Sequence, residues 1–285
     1  MKLKFIEEKA MKVVMLVTTL LVFLFVGSIL YTIVKNGWGA MNWEMISSLP
    51  GGGFYIGKEG GLLNAIVGSL YIVGASTVLG LAVSIPVVFY LNVYLKKNSK
   101  RGSFARLAYD VLFGIPSIVY GAFAFTIMIY LGLKTSLAGG IIVITLLIIP
   151  IFIRSMDEIA RELPQDMLNA SYSLGATRYE TIKVVVRQIA PGIATATLLS
   201  IGRAIGDAAA VLFTAGYTDN IPTSLGQPAA TLPLAVFFQL SSLSNHIPAV
   251  QERAYAAALI LTIIVLILSI LGRIITNRFS RNKIQ

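Results

Sequence analysis

The segment VVMLVTTLLVFLFVGSILYTIV, residues 13–34, consists almost entirely of apolar side chains. As a helix it would extend about 33 Å at 1.5 Å per residue, which is enough to cross the hydrocarbon core of a bilayer. A cleaved signal peptide would have a shorter apolar core of about 7–15 residues, followed by a small-residue cleavage site. The segment is therefore predicted to be an uncleaved first membrane-spanning helix.

The composition of the whole chain agrees with a membrane protein. Of its 285 residues, 56% are hydrophobic and only 13% are charged, and the mean hydropathy is +0.80. An average soluble domain has about 25% charged residues. Five further apolar runs bring the number of predicted spans to six: 62–95, 107–133, 136–153, 192–215 and 255–275. The predicted fold class is an all-α, polytopic membrane protein, with an N-terminal helix and outer loop in 1–61 and a transmembrane core in 62–285.

The basic residues indicate how these spans are oriented. Six spans place both termini on the same side of the membrane. Eighteen of the 23 Lys and Arg residues then fall in the segments on that side, four fall in the opposite segments, and Arg203 lies within a span. Such an asymmetry marks the cytoplasmic side. The net charge of +10 is therefore explained by membrane topology, and a nucleic-acid partner is not expected.

The residues expected of an enzyme site are missing from the sequence. The chain has no cysteine and a single histidine, His246, which falls in a predicted outer loop. The segment GGFYIGKE, residues 52–59, has the spacing of a phosphate-binding loop. However, Glu59 stands where Ser or Thr would hold Mg²⁺, and the segment lies on the predicted outer side. We therefore expect this chain to bind no nucleotide, metal or cofactor, and to catalyse no reaction itself.

Two charges within the fifth predicted span require an explanation. In RAIGDAAAVLF, residues 203–213, Arg203 and Asp207 are four residues apart, so on a continuous helix they would share one face. Inserting either charged side chain at the centre of a membrane-spanning helix costs about 2.5–3.5 kcal/mol. Gly202 and Gly206 form a GxxxG pattern that permits close packing of another helix. Two interpretations remain open: a structural ion pair, or an anion contact by Arg203 that Asp207 tempers.

The third predicted span contains a second candidate. Pro116 frees a backbone carbonyl, and the hydroxyl of the adjacent Ser117 can form hydrogen bonds between helices. A kink with helix packing and a direct contact to a transported anion are both compatible with these residues.

The longest inner segment, near 157–190, is predicted to be a compact helical element. Pro164 favours the first turn of a helix over 165–174, and Gly175 can end that helix in the left-handed conformation. Thr177 and Glu180 have the spacing of a capping box at the start of the next helix. A helix, glycine turn and helix of this kind is suited to insertion into a partner's cleft, and a plain amphipathic linker is equally compatible with these residues.

Part of this segment, NASYSLGATRYETIKVVVRQIAPGI (169–193), resembles the EAA loop of ABC importer permeases, the element that couples them to their ATPase subunits. The match places the coupling contact on Asn169, Ala170, Ser171, Gly175 and Ala176. Ala170 and Gly175 agree with the family pattern. Asn169 replaces its Glu, Ser171 replaces its second Ala, and residues 187–188 (Arg-Gln) replace its Leu-Pro.

Two further stretches narrow the resemblance. GIPSIVYG (114–121) and RAIGDAAAVLFTAG (203–216), together with ATLPL (230–234), resemble the PstA family of phosphate importer permeases, over nearly the whole chain. The family carries Arg and an acidic residue, usually Glu, at the positions of Arg203 and Asp207. The resemblance therefore favours Arg203, Asp207 and Ser117 as residues of a substrate pathway.

The resemblance implies a type I ABC importer permease in the inner membrane. Its expected partners are a PstC-like permease subunit, two PstB-like ATPases that use ATP and Mg²⁺, and a PstS-like protein that delivers inorganic phosphate from outside. Two alternatives to phosphate transport remain open. One is a permease for another oxyanion, such as molybdate or phosphonate. The other is a membrane scaffold or sensor subunit that transports nothing.

Overall fold

The structure is a computed structural model that describes residues 2–51, 59–96, 99–241 and 248–280. Nearly all of the secondary structure is helical, and the one small sheet pairs β1 (Pro50–Gly51) with β2 (Glu59–Gly60) in antiparallel orientation. Most of the phosphate-loop-like segment, and His246, lie outside the described residues. The helices are α1 (Lys2–Trp38), α2 (Trp43–Ser47), α3 (Leu63–Phe89), α4 (Lys100–Gly114), α5 (Ser117–Tyr130), α6 (Leu137–Arg161), α7 (Gln165–Ser173), α8 (Arg178–Ile205), α9 (Ala209–Leu212), α10 (Leu232–Ser241) and α11 (Pro248–Ser280).

Five of the described helical stretches are long and apolar enough to span a membrane: Glu7–Trp38, Leu63–Tyr94, Leu137–Arg161, Arg178–Ile205 and Val250–Ile274. A sixth span exists if α4 and α5 are counted together, although they are bent by 96° relative to each other. The all-α, polytopic prediction is therefore confirmed. The third predicted span, over 107–133, is broken at Ile115 and Pro116, next to the position where a kink is one of the two sequence interpretations.

The core of the bundle is formed by α3, α6 and α8, with α6 at its centre. Small residues on α3 allow α6 to approach closely, as is common between membrane helices. At Gly80 an added Cβ would lie only 2.9 Å from the ring of Phe152, which is fully buried. The Ser76 hydroxyl donates a hydrogen bond to the Ile141 carbonyl at 2.9 Å. These contacts fix α3 and α6 against each other along most of the apolar layer.

The first helix lies at the edge of the bundle. It packs against α11 near Gly37, where an added Cβ would lie 2.6 Å from the Tyr255 carbonyl oxygen. Most of its remaining apolar side chains are exposed, Phe23 and Leu24 among them. In a membrane this surface is covered by lipid or by another membrane chain, because it is uniformly apolar.

Candidate functional site

Helix α8 ends earlier than the sequence pattern predicts. It runs from Arg178 to Ile205, and Gly206 is its C-cap. The chain then turns and forms the short helix α9 from Ala209 to Leu212. The prediction of a continuous span over 192–215 is therefore wrong, and Arg203 and Asp207 do not share one helix face.

Asp207 has a different partner from the one expected. Its Oδ1 accepts a hydrogen bond of 2.8 Å from the backbone N–H of Ala210, in the first turn of α9. Within the described part of the chain, no ion pair joins Asp207 to Arg203. The interpretation of these two residues as a structural ion pair is therefore wrong for this chain by itself. A carboxylate near a helix start satisfies a backbone donor that would otherwise lack a partner.

Arg203 lies in the last turn of α8, and its side chain is exposed. A Cβ added at Gly202 would have no atom within 4 Å. A Cβ added at Gly206 would have only the carbonyl oxygen of Gly202 nearby, at 3.8 Å. The close helix packing expected at the GxxxG pattern is thus absent within the described residues of this chain. Gly202, Arg203 and Gly206 form an open surface, which we call the open face.

The break in the third span gives the other candidates their positions. Pro116 is extended and exposed at the N-cap of α5, and Ser117 is the first residue of that helix, half-buried. The Tyr120 hydroxyl donates a hydrogen bond of 2.9 Å to the Leu112 carbonyl on α4, which braces the bend. Pro116 therefore separates two helices bent by 96°, which is a sharper break than the kink expected at this position. We call this segment, Gly114–Ser117 in the sequence, the elbow.

Helix α5, which follows the elbow, packs against α9, which follows the open face in the chain. At Gly121, an added Cβ would meet the carbonyl oxygens of Ala209 and Ala210 on α9 at 2.9 and 2.8 Å. The motifs GIPSIVYG (114–121) and RAIGDAAAVLFTAG (203–216) are distant along the chain, yet they pack against each other through Gly121 and α9.

The predicted coupling element has the expected local structure. Helix α7 ends at Ser173, and Gly175 has a φ of +83°, in the left-handed region. Thr177 is the N-cap of α8: its hydroxyl accepts from the Glu180 N–H at 3.3 Å, and the Glu180 carboxylate accepts from the Thr177 N–H at 2.8 Å. The prediction of a helix, glycine turn and capped helix is confirmed. Pro164 is the N-cap of α7, one position before the predicted first turn.

The five residues matched to the coupling pattern lie along this element. Asn169, Ala170 and Gly175 are exposed, and Ser171 and Ala176 are half-buried. The Ser171 hydroxyl lies 3.2 Å from the buried Thr181 hydroxyl, which ties α7 to the first turn of α8. The turn is thus rigidly held while its outer surface remains available for contact.

The loop after α9 is anchored in the fold near both of its ends, while its residues 223–227 are exposed. The Ala229 N–H donates to the Ala215 carbonyl at 2.9 Å, and the Leu137 N–H at the start of α6 donates to the Gln227 carbonyl at 2.7 Å. Burial raises the pKa of the Tyr217 phenol to about 12. The motif LFTAG (212–216) leads from α9 into this loop, and ATLPL (230–234) leads from the loop into α10. Their small residues pack against α3 and α6. In this chain they serve packing.

The sequence interpretation missed a buried polar cluster at the predicted inner end of α6. The Asp157 carboxylate is fully buried and accepts four hydrogen bonds from Arg106 and Tyr109 on α4 and from Asn92, in the π-helical turn that follows α3. Helical spacing could have revealed Asp157, because it lies on the same face as the buried residues Ile153 and Ala160.

Comparisons with known proteins agree with this architecture. The family described as "Binding-protein-dependent transport system inner membrane component" matches residues 76–284. The "Phosphate transport system permease protein PstA" of Pasteurella multocida is 32% identical over 249 residues, covering 86% of each chain. The protein of the same name from Yersinia pestis is 35% identical over 76% of this chain and 72% of the relative. "PstA 2" of Mycobacterium tuberculosis is 33% identical over 80% and 75%.

Solved structures share the fold. A chain from the inward-facing MetNI methionine ABC transporter has a TM-score of 0.64 and 18% identity, and the match covers 76% of this chain and 95% of that chain. A chain from a bacterial alginate ABC transporter has a TM-score of 0.63 and 12% identity, with 99% of each chain covered. These likenesses confirm the predicted fold of type I ABC importer permeases. The chain therefore belongs to the inner-membrane components of binding-protein-dependent transport systems and, within them, to the family of PstA phosphate transport system permeases.

Proposed function

We propose that this chain translocates inorganic phosphate across the cytoplasmic membrane, driven by ATP hydrolysis on a separate ATPase chain. The support is its similarity, at 30–35% identity over most of its length, to proteins named phosphate transport system permease. The family to which it belongs supplies the membrane component of ABC transporters, a part that is typically non-catalytic. The chain itself would bind no cofactor, and ATP and Mg²⁺ would be used by the partner.

The observation that carries a transport role is the position of Arg203. Its guanidinium is exposed at the end of a membrane-spanning helix and has no carboxylate partner among the described residues. If this guanidinium faced lipid near the bilayer centre, its insertion would cost about 2.5–3.5 kcal/mol. The open face must therefore border a water-filled path or a second membrane subunit. A guanidinium presents a planar set of donors that matches the oxygens of phosphate.

The other pathway residues take more specific roles in this proposal. Asp207 stabilises the turn between α8 and α9, and thereby sets the position of Arg203, four residues earlier. It does not neutralise the guanidinium directly. Ser117 is at the elbow, one turn before the Gly121 contact with α9, and its hydroxyl would be a second contact for an anion held by Arg203. Gly202 and Gly206 keep the surface flat, so that a PstC-like subunit or the substrate can approach.

The coupling element is proposed to be the contact with the ATPase. Asn169, Ala170 and Gly175 form its exposed surface, and Ser171 and Ala176 support the turn from below. Two PstB-like subunits would bind the paired permeases, one at each coupling element. Because α7 and the start of α8 are held together by hydrogen bonds, a force applied to α7 is passed directly to the helix that ends at Arg203.

The topology proposed for the complex follows from the distribution of charge. Both termini and the coupling element lie in the cytoplasm, and the loop between α9 and α10 faces outward, where a PstS-like protein would deliver phosphate. Residues 1–61 form a peripheral helix and outer loop, and residues 62–285 form the translocating core. Labelling of single introduced cysteines with an impermeant maleimide tests this orientation, since the natural chain has no cysteine.

The function is tested by uptake of radioactive phosphate into proteoliposomes that contain the chain with its proposed partners. Uptake should require external binding protein and ATP on the ATPase side. Excess unlabelled phosphate should compete, whereas molybdate and phosphonate should not. Competition by one of those anions alone would support the alternative oxyanion permease. ATP hydrolysis without uptake of any of the three would support a scaffold or sensor subunit.

A further inference from the structure

The Asp157 cluster joins three segments that are distant along the chain. The carboxylate Oδ2 accepts from Arg106 Nε and from the Tyr109 hydroxyl, each at 2.8 Å. Oδ1 accepts from an Arg106 terminal nitrogen at 3.0 Å and from Asn92 Nδ2 at 2.7 Å. The Asn92 amide also donates to the Val88 carbonyl at 2.9 Å. Both carboxylate oxygens therefore have two donors each, including a two-pronged contact from one guanidinium.

Burial distinguishes this cluster from an ordinary surface ion pair. The side chain of Asp157 is 0% exposed and that of Arg106 is 19% exposed. On the neighbouring turn, Arg154 and Asp110 are 3.7 Å apart with 40% and 51% exposure. Exposed pairs of that kind contribute little, whereas a buried charge that loses its partner is left uncompensated. The cluster is therefore a specific connection between α6 and α4, for which the exposed pair serves as a control.

The position of the cluster relates it to the movement of the chain. Asp157 is one turn before the end of α6, and the coupling helix α7 starts shortly afterwards at Gln165. Arg106 and Tyr109 are on α4, whose C-terminal end at Gly114 leads into the elbow. The cluster therefore connects the segment that precedes the ATPase contact to the segment that precedes Ser117 and the open face.

We propose that Asp157 is a positioning residue that makes the inner ends of α4 and α6 move as one body. A displacement of α7 on ATP binding then reaches the elbow through α6, Asp157 and α4. Without this connection, the ATPase would still bind and hydrolyse ATP, but the elbow would follow α7 incompletely. The proposal rests on the proposed transport function, and it concerns how ATP hydrolysis is linked to substrate movement.

The first test measures phosphate moved per ATP hydrolysed by the reconstituted complex. Asp157→Asn keeps the shape of the side chain, removes its charge, and should lower this ratio at least about five-fold, the lower end of typical coupling between sites. Tyr109→Phe, which removes one hydrogen bond, should lower it less. Asp110→Asn is the matched control and should leave it unchanged. An unchanged ratio in Asp157→Asn would overturn the proposal. If that variant does not assemble, the Tyr109→Phe ratio decides.

The second test does not depend on the substrate. Because the chain has no cysteine, spin labels can be attached through Phe104→Cys on α4 and Arg161→Cys at the end of α6, both exposed positions. The distance between the labels should be the same with and without ATP in the parent complex. It should change with ATP, or become broadly distributed, in Asp157→Asn. A distance that changes with ATP in the parent contradicts the proposal, even if the chain transports no phosphate.

Discussion

Gly175 gives a quantitative test of the coupling turn, because only its backbone conformation restricts the residue type. Its φ is +83°, and nothing lies within 4 Å of the position that a Cβ would take. A substitution therefore meets no steric obstacle from neighbours. Its cost is the cost of placing an L-residue in the left-handed region, about 1–2 kcal/mol for an ordinary residue and less for Asn.

This conformational cost predicts that substitutions of Gly175 destabilise the turn to different degrees. Gly175→Asn should behave almost like the parent, Gly175→Ala should lose about 1 kcal/mol, and the β-branched Gly175→Val should lose up to about 3 kcal/mol. These energies correspond to about a five- to 150-fold shift of the turn towards other conformations. The ATPase would then bind a coupling element that holds the correct geometry for only a fraction of the time.

The assay is phosphate uptake and ATP hydrolysis measured on the same proteoliposomes. Uptake per ATP should fall in the order Gly, Asn, Ala, Val, while the amount of assembled complex stays constant. Gly132→Val is a matched control, because Gly132 also has a positive φ and open surroundings, at the end of α5 away from the coupling element. If Gly175→Val assembles and couples as well as the parent, the assignment of this turn to ATPase coupling is wrong.

Three other substitutions test separate parts of the structure. Gly68→Ala should lower thermal stability in detergent by about 1–3 kcal/mol, because its Cβ would overlap a buried backbone carbonyl, whereas Gly74→Ala, with open surroundings, should not. Thr177→Ala should cost about 1 kcal/mol by removing the α8 cap, as measured by denaturation and by reduced uptake. Asp207→Asn should retain uptake, because an amide oxygen can also accept the Ala210 N–H, whereas Asp207→Ala should reduce it.

Each of these substitutions has an outcome that contradicts its explanation. Equal melting temperatures for the Gly68 and Gly74 variants would show that the close approach of α3 to the outer loop contributes nothing. Unchanged stability on removal of the Thr177 hydroxyl would exclude a role for the capping box. Loss of uptake in Asp207→Asn, with normal assembly, would restore a requirement for negative charge near Arg203.

The features predicted correctly from sequence depend on neighbouring residues. The apolar runs predict the spans because a segment in lipid must satisfy its backbone polar groups by hydrogen bonds of its own, as a helix does. The coupling turn was predicted in detail because Pro164, Gly175 and the pair Thr177 and Glu180 act within a few positions of one another. Local chemistry of this kind is readable without knowledge of the tertiary fold.

The features missed depend on where helices stop. An apolar run does not show where a helix within it ends. The run 107–133 predicts at most a kink where the chain bends by 96°, and the run 192–215 predicts one helix where there are two. Signals were present: Pro116 disfavours a helical conformation at Ile115, and Gly206 followed by Asp207 is a helix stop next to a capping residue. Once α8 ends at Ile205, the four-residue spacing of Arg203 and Asp207 no longer implies contact.

The Asp157 cluster was missed for another reason. Its members come from α4, from α6 and from the turn after α3, so their contact depends on the packed bundle. In the sequence, Asp157 stands at the start of a charged inner segment, with no neighbouring residue that identifies its partners. Its spacing from Ile153 and Ala160 indicates the buried face, but the identity of its partners could come only from the three-dimensional structure.

The central claim is that Arg203 on the open face contacts phosphate during transport. The most direct measurement is the initial rate of phosphate uptake by Arg203→Ala in the assembled complex, beside Arg203→Lys and the control Arg273→Ala, an exposed arginine on α11. Loss of a charge-assisted contact worth about 1.5–3 kcal/mol predicts a decrease of roughly ten- to 150-fold, with partial recovery in Arg203→Lys and no change in Arg273→Ala. Uptake by Arg203→Ala at the parent rate would contradict the claim.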